Sequence, residues 1–427
     1  MKTVSFITLG CRANQAESNE YNEGMLEAGW EVLDPTLNLS GAYIINTCTV
    51  TNEAERQSRQ LIRKISKNNP NSKIIVTGCS SKYLESNRDV KSKVSLFIPN
   101  LEKDKFVEKI YEHLGVEKAF DPMSVIPPVE KSESTRLNVK ISDGCNWACS
   151  FCIIPRVRGK LRSMSEEDVL QKIKRAEFMG YKEIVLTAIQ LGGYGKDLGR
   201  NGLEILIPKL LKETNIPRIR LSSIEPTDVS DKLIEELGKS DRICNQFHIP
   251  IQSGSDRVLD LMKRRYDRAE YADRINTLRK HIPNLTLTTD IMIGFPSETE
   301  QDFQDSCEFV QTLGFNKLHI FPYSDRYGTA ASKMSEKISP EVMKERKKIL
   351  SDIDKVLYKK WLDSSIGTVK EVLVESTKTY SEYIQGTSKD YYKVNFVSNK
   401  HNKNDLVNVK IIEADHENMC LLGVLEN

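Results

Sequence analysis

The chain has 427 residues, 39% hydrophobic and 29% charged, the make-up of an ordinary globular protein long enough for two or three domains. Its 62 basic residues nearly balance its 60 acidic ones, so bulk charge excludes a generally basic nucleic-acid binder and leaves only local patches for such a role. Nine cysteines, an odd number in a large chain, argue against a secreted disulfide framework and for metal binding or thiol chemistry in a reducing compartment. No apolar run reaches membrane length and no secretory leader is read at the start, so a cytoplasmic protein without membrane contact is expected.

In chain order, residues 1–118 read as a small α/β domain with a parallel sheet. The β-rich runs VSFITL, AYIIN and KIIVT each end on a turn-like residue followed by cysteine: Cys11, Cys48 and Cys79. Helical patterns fill 16–28 and 53–67. A Pro- and Ser-containing stretch, 119–134, reads as a linker. From 135 to 363 the βα alternation resumes with LNVKI, EIVLT, RIRLS, QFHIPI, LTLTTDIMIG and KLHIFP as strands. Helices are predicted over 166–179, 203–213, 228–237, 268–280, 300–313 and 341–361. Six such units form a partial (βα)6-type barrel, with its active site at the C-terminal strand ends. Residues 364–427 change to short alternating strands (TVKEVLVE, EYIQGT, YYKVNFV, LVNVKIIE, CLLGVL), the pattern of a small all-β, OB-like barrel.

The stretch DGCNWACSFCIIPRVRGK gathers Cys145, Cys149 and Cys152 within eight residues, with no fourth cysteine or histidine nearby. Structural zinc takes four ligands, usually as paired knuckles. An iron–sulfur cubane also takes four cysteines, one per iron, so three leave one iron open for something reactive. Zinc and unligated structural cysteines are the competing readings. Cys11, Cys48 and Cys79, 37 and 31 residues apart, pose the same puzzle at a distance. Side chains at the C-terminal ends of neighbouring parallel strands converge on one edge. A lone cysteine there is a small buried hydrophobe, but three in equivalent turns point to a second three-cysteine cluster. Cys244, Cys307 and Cys420 share no pattern and read as structural.

C-x3-C-x2-C after the first strand of a barrel resembles the radical S-adenosylmethionine superfamily. With LGCRANQAES, NTCTVTNEAERQSRQ, VTGCSS, RLSSIEP, HIPIQSGSDRVLDLMKRRY, DIMIGFPSET and FPYSDRYGTAA, the whole chain resembles the methylthiotransferases. NTCTVTNEAERQSRQ and RLSSIEP look most like the branch acting on threonylcarbamoyladenosine in tRNA. The isopentenyladenosine branch and the branch that modifies a ribosomal-protein aspartate fit less well. The resemblance implies two [4Fe–4S] clusters and an RNA-binding (TRAM-type) C-terminal barrel. The open iron at Cys145/Cys149/Cys152 would chelate S-adenosylmethionine, and one electron would cleave it to a 5′-deoxyadenosyl radical. The Cys11/Cys48/Cys79 cluster would hold a sulfur, methylated by a second S-adenosylmethionine and delivered to C2 of adenosine 37 in the anticodon loop. An electron donor such as flavodoxin or ferredoxin, and a monomer, are expected. No side chain is assigned as acid or base, because that C–H is not acidic and the hard step belongs to the cofactor.

For the S-adenosylmethionine pocket, the candidates are strand-end residues. Gln190 stands where related enzymes often carry Gly-Gly-Glu; Ser222 and Ser223 end a strand; Gln252, Ser253 and Gly254 end another. Arg264 matches the family's M-x-R pattern and would pair with a carboxylate, and Ile293 would pack along the adenine. Each has a plainer reading as a loop residue, helix cap, solvated charge or turn. For RNA there are three basic runs: Arg156, Arg158, Lys160 and Arg162; Lys263, Arg264, Arg265 and Arg268; Lys344, Arg346, Lys347 and Lys348. The first would contact phosphate, and Arg156, Arg158 or Arg264 could meet a threonylcarbamoyl carboxylate. Residues 366–427 hold seven Lys, no Arg and nine acidic residues, so RNA binding there would rest on stacking by Tyr383, Tyr391, Tyr392 and Phe396. The competing class is a non-catalytic iron–sulfur or zinc protein that only binds RNA.

Overall fold

The computed structural model describes residues 2–37, 40–115, 134–376, 383–398 and 400–426; the expected linker 119–134 lies outside them except for Ser134. The chain forms two compact units. The first comprises Met1–Lys131, Asp143–Leu161 and Ser324–Ser332; the second comprises Ser132–Ser142, Arg162–Tyr323 and Lys333–Asn427.

The first unit is built on an all-parallel five-stranded sheet, ordered Glu31–Val32, Thr3–Thr8, Ala42–Thr47, Lys73–Gly78, Leu96–Pro99. The central strand AYIINT is buried at every position, as a strand covered on both faces must be. Its side chains alternate between two cores. Ile44 joins Val4, Met25, Ile75 and Phe106 on one face, and Tyr43 and Ile45 join Ile62, Ile74 and Val76 on the other. Helix Asn52–Asn68 starts at Thr51, whose hydroxyl accepts from the Ala54 N–H at 3.1 Å, with Glu53 and Glu55 in the first turn and Lys67 in the last; both devices suit the helix dipole. Sequence periodicity passed over the fifth strand and helix Phe106–Leu114, because a four-residue strand ending in proline shows no period.

In the second unit six parallel strands follow chain order: Arg136–Lys140, Glu183–Thr187, Arg218–Leu221, Gln246–His248, Thr286–Ile293 and Lys317–Pro322. They form two three-stranded sheets, with isolated bridges Ile219–Ile243 and Ser223–His248 between the third and fourth. The partial barrel is as expected. QFHIPI pairs only over Gln246–His248, since Pro250 has no N–H to donate to a ladder. The helix predicted from 228 begins at Asp231: Pro226–Asp228 is a 3-10 turn, and Ser230 caps by accepting from the Leu233 N–H.

The C-terminal strands Val369–Ser376, Tyr383–Ser388, Lys393–Val397, Leu406–Asp415 and Cys420–Leu425 close into a barrel. Two aromatics expected to stack on RNA are core residues instead. Tyr392 stacks on Trp361 with ring centroids 3.8 Å apart, and Phe396 is fully buried. Tyr391 lies under the Arg220 guanidinium, 4.7 Å from its ring centre. Of the four, Tyr383 alone is exposed. Period-2 alternation explains this: Val394 and Phe396 share the inward face of their strand.

This barrel is held by two wholly buried arginines. Arg218 donates to Glu371 at 2.8 Å and to the Thr387 carbonyl at 3.0 Å; Arg220 donates to Glu183 at 2.7 Å and to the Lys389 carbonyl at 3.1 Å. Glu183, equally buried, also faces Arg218 at 3.4 Å. Glu183→Gln removes the buried carboxylate between two buried cations. Its expected effect is a loss of about 3–5 kcal/mol, read as a lower urea midpoint with tryptophan fluorescence; an unchanged midpoint would contradict this account of the packing.

Candidate functional site

Cys11, Cys48 and Cys79 follow three strands that are neighbours in the first unit's sheet. Gly10, at φ +103°, makes their approach possible: a Cβ there would lie 2.8 Å from Cys48 Cβ and 3.0 Å from its Sγ. Asn14 stitches the turns together, its amide donating to the carbonyls of Leu9 (2.8 Å) and Thr47 (3.0 Å), and the Cys79 N–H donates to that same Thr47 carbonyl at 2.9 Å. Burial pushes the Cys48 thiol up to about 11, and Cys79 and Cys11 add to the shift, as three converging sulfurs would. Cys11 is exposed, and the other two are buried. Among the described residues no group of three or more His, Cys, Asp or Glu is arranged around a single ion. A cubane instead distributes its ligands over separate irons.

The second cysteine set lies on a loop of the same unit that folds back on itself. The Cys145 N–H donates to the Gly159 carbonyl and the Cys152 N–H to the Cys149 carbonyl, both at 3.1 Å. The Leu161 N–H meets Asn146 Oδ1 at 3.0 Å, and the Trp147 N–H points at Cys145 Sγ from 3.3 Å. Gly144 at φ +75° has no room for a side chain, since a Cβ would come within 2.0 Å of the Lys160 carbonyl oxygen. All three cysteines are half-buried, on a loop held by its own backbone hydrogen bonds.

One side chain joins the two sets. Arg158, six residues beyond Cys152 and wholly buried, donates from Nε to Cys79 Sγ at 3.1 Å. Its Nη1 reaches Glu17 and Asp143, each at 2.8 Å, and its Nη2 reaches Asn14. Lys103 pairs with the same two carboxylates, and Asn100 points its amide at Cys79 Sγ from 3.5 Å. Burial works against the Arg158 charge, but Cys79 and Glu17 hold its pKa above the ordinary value. Two donors aimed at one sulfur suit the thiolate form that binds metal, so the donor set fits a cluster ligand at Cys79. The expected phosphate contact by Arg158 does not hold, because the group has no exposed surface. Sequence reading missed Glu17, Lys103, Asn14, Asn100 and Asp143 altogether: each is one polar residue on a helix, turn or strand edge, without a pattern.

The remaining candidates lie in the second unit. The Ser222 hydroxyl and Gln252 Oε1 are buried polar atoms without a hydrogen-bond partner among the described residues. Such atoms cost about 1–3 kcal/mol each when left unsatisfied, so both fit a polar ligand. Gln252 also holds φ at +69°. Gln190 is buried against Gly193, while Ser223 is exposed. Ser253 is fully buried beside Ser306, and the closeness allowed by Gly254 is to a helix: its Cβ would meet Ser306 Cα at 2.6 Å. Arg264 is no solvated charge; it is buried in an ion pair with Glu225, and its Nε meets the Tyr266 hydroxyl at 3.1 Å. Ile293 is a core residue. Of the third basic run, Arg346 is buried on Glu298 at 2.6 Å, and Lys344, Lys347 and Lys348 are exposed. Adjacent barrel strands also place His248 3.3 Å from Asp290 and 5.3 Å, ring to ring, from His319, a group that single histidines in a sequence do not announce.

Residues 139–310 match the model of the radical SAM superfamily, and residues 3–98 match uncharacterized protein family UPF0004. The chain is 36% identical to the threonylcarbamoyladenosine tRNA methylthiotransferase MtaB of Bacillus subtilis, over 97% of this chain and 95% of that protein. It belongs to the radical S-adenosylmethionine methylthiotransferase family. It is therefore an enzyme that works with [4Fe–4S] clusters and S-adenosylmethionine. A tRNA-2-methylthio-N(6)-dimethylallyladenosine synthase of Clostridium botulinum is 33% identical, over 96% of this chain and 94% of that one. The fold is also that of a solved radical S-adenosylmethionine methyltransferase, TsrM of Kitasatospora setae, with TM-score 0.55 at 13% identity, covering 75% of this chain and 73% of that one. No helix among the described residues is long and apolar enough to cross a membrane.

Proposed function

We propose that this enzyme converts N6-threonylcarbamoyladenosine at position 37 of tRNA to its 2-methylthio derivative. One observation carries the chemistry: both three-cysteine sets lie in one compact unit, and Arg158 bonds the loop of one to a ligand of the other. In this reading Cys145, Cys149 and Cys152 hold one cluster, and Cys11, Cys48 and Cys79 hold the other. When bound, the clusters supply one-electron cleavage of S-adenosylmethionine and a site for the transferred sulfur. The chain's own residues fix the ligands. Backbone bonds close the 143–161 loop, Gly10 leaves space for Cys48, and Arg158 and Asn100 keep the Cys79 sulfur an acceptor. Gln190, Ser222, Ser223, Gln252, Ser253, Gly254, Arg264 and Ile293 remain the proposed neighbours of S-adenosylmethionine, with Ser222 and Gln252 best supported by their unpartnered atoms.

The proposed domains are 1–118 for the auxiliary cluster, 135–363 for the radical barrel, whose 143–161 loop packs within the first compact unit, and 364–427 for RNA, joined by 119–134. A flavodoxin or ferredoxin supplies the electron, and the enzyme acts as a cytoplasmic monomer. The substrate is supported by the names of the relatives at 34–36% identity. Nucleoside mass spectrometry on tRNA from cells lacking the protein tests it. Loss of the methylthiolated threonylcarbamoyladenosine alone is expected; loss of the dimethylallyl counterpart moves the chain to the sister branch.

A further inference from the structure

The first unit contains a cavity of about 430 Å³ that no step above uses. Its walls come from the segments just after three of the cysteines. Asn52, Glu55 and Arg59 belong to the helix after Cys48, Tyr83 and Asn87 follow Cys79, and Ile153 follows Cys152. Arg326 and Tyr327 complete it. Two guanidiniums share one carboxylate there: Glu55 Oε2 accepts from Arg326 at 2.8 Å, and its Oε1 takes Arg59. Arg326 is buried and fixed, its terminal nitrogens donating to Asn52, Thr49 and Glu55, with only Nε lacking a partner among the described residues. Arg59, with 28% of its side chain exposed, keeps donors of its five-donor fork accessible. Asp325 is the other carboxylate on the lining.

We propose that this cavity binds the carboxylate of the threonylcarbamoyl substituent, with Arg59 as its specificity-determining residue and Arg326 holding Glu55 in place beside it; the proposal rests on the substrate reading just given. An apolar isoprenoid would cover the open Arg59 donors and leave them unpaired, whereas a carboxylate meets a guanidinium in paired hydrogen bonds. A site built this way rejects a ligand lacking the polar group far more strongly than an apolar slot rejects one that is slightly too large. Tyr83 lines the wall, and Tyr327, 92% exposed, offers a face on which a flipped-out base can stack. Just beyond Tyr327, Gly328 at φ +89° packs against Arg156: a Cβ on it would sit 2.6 Å from Arg156 Nη1.

The test is fluorescence anisotropy with the full, cluster-loaded chain and three anticodon stem-loops, carrying threonylcarbamoyladenosine, unmodified adenosine or isopentenyladenosine at position 37. The wild type should prefer the first. Arg59→Gln should lower that preference roughly tenfold to hundredfold while leaving affinity for the unmodified loop unchanged. Arg59→Lys, which keeps the charge and loses the fork, should fall between them and guards against a misfolded glutamine variant; iron content and melting temperature are followed for both. Equal weakening toward all three RNAs would mean that Arg59 contacts a backbone phosphate and would overturn the proposal. An unchanged preference in both variants would overturn it too, with the substrate reading intact. A wild type without preference for the threonylcarbamoyl loop overturns the substrate reading and the pocket assignment together.

Discussion

Replacing Cys145, Cys149 and Cys152 by alanine is expected to abolish formation of 5′-deoxyadenosine under reductant. Replacing Cys11, Cys48 and Cys79 should leave that product and remove the methylthiolated nucleoside. The asymmetry follows from where each set sits. The 145–152 loop holds three half-buried thiols on a backbone closed by its own hydrogen bonds, and Arg158, which ties it to Cys79, keeps its partners Asn14, Glu17 and Asp143 when that sulfur is lost. The other set is assembled from three separate turns, and losing its sulfurs leaves the loop ligands in place. Chromatographic quantification of 5′-deoxyadenosine, alongside iron and acid-labile sulfide, checks both arms. About eight irons per wild-type chain are expected from two cubanes and about four in each triple variant. Full cofactor cleavage in the first variant would refute the division, and so would its complete loss in the second.

Arg158→Met should be among the most damaging single substitutions outside the cysteines. It removes a buried cation from Glu17 and Asp143, leaving Lys103 alone to balance both carboxylates. Breaking a buried pair in this way costs about 3–5 kcal/mol, visible as a lower denaturant midpoint of the cluster-free chain. Arg158→Lys retains the charge but cannot reach four partners with a planar fork, so an intermediate loss is expected. The same variant loses the donor on Cys79, and hydrogen bonds to ligand sulfur tune a cluster's potential. Redox titration followed by electron paramagnetic resonance, in the Cys145/Cys149/Cys152 alanine background, should therefore show a shifted midpoint. An unshifted potential with unchanged stability would show that the Arg158 contacts matter to neither.

The sequence by itself determined most of the order of elements, and the cysteine sets, because both depend on neighbours in the chain. Residues 300–313 read as a helix and form one over Glu300–Leu313, since a capping threonine, early acidic residues and a final glycine are all local. Three equivalent strand–turn–cysteine steps were legible for the same reason, and parallel pairing of their strands then brings the turns to one sheet edge. Which arginines remain accessible was decided only by tertiary structure. Arg156 and Arg158 sit two positions apart in one basic run, yet the first is exposed and the second is enclosed by Asn14, Glu17 and Cys79. Arg59 and Arg326 meet over one glutamate although 267 positions separate them. Buried polar partnerships form when distant segments pack and each desolvated charge must find its counterpart. A run of like charges along the chain carries no record of which of its members will be enclosed.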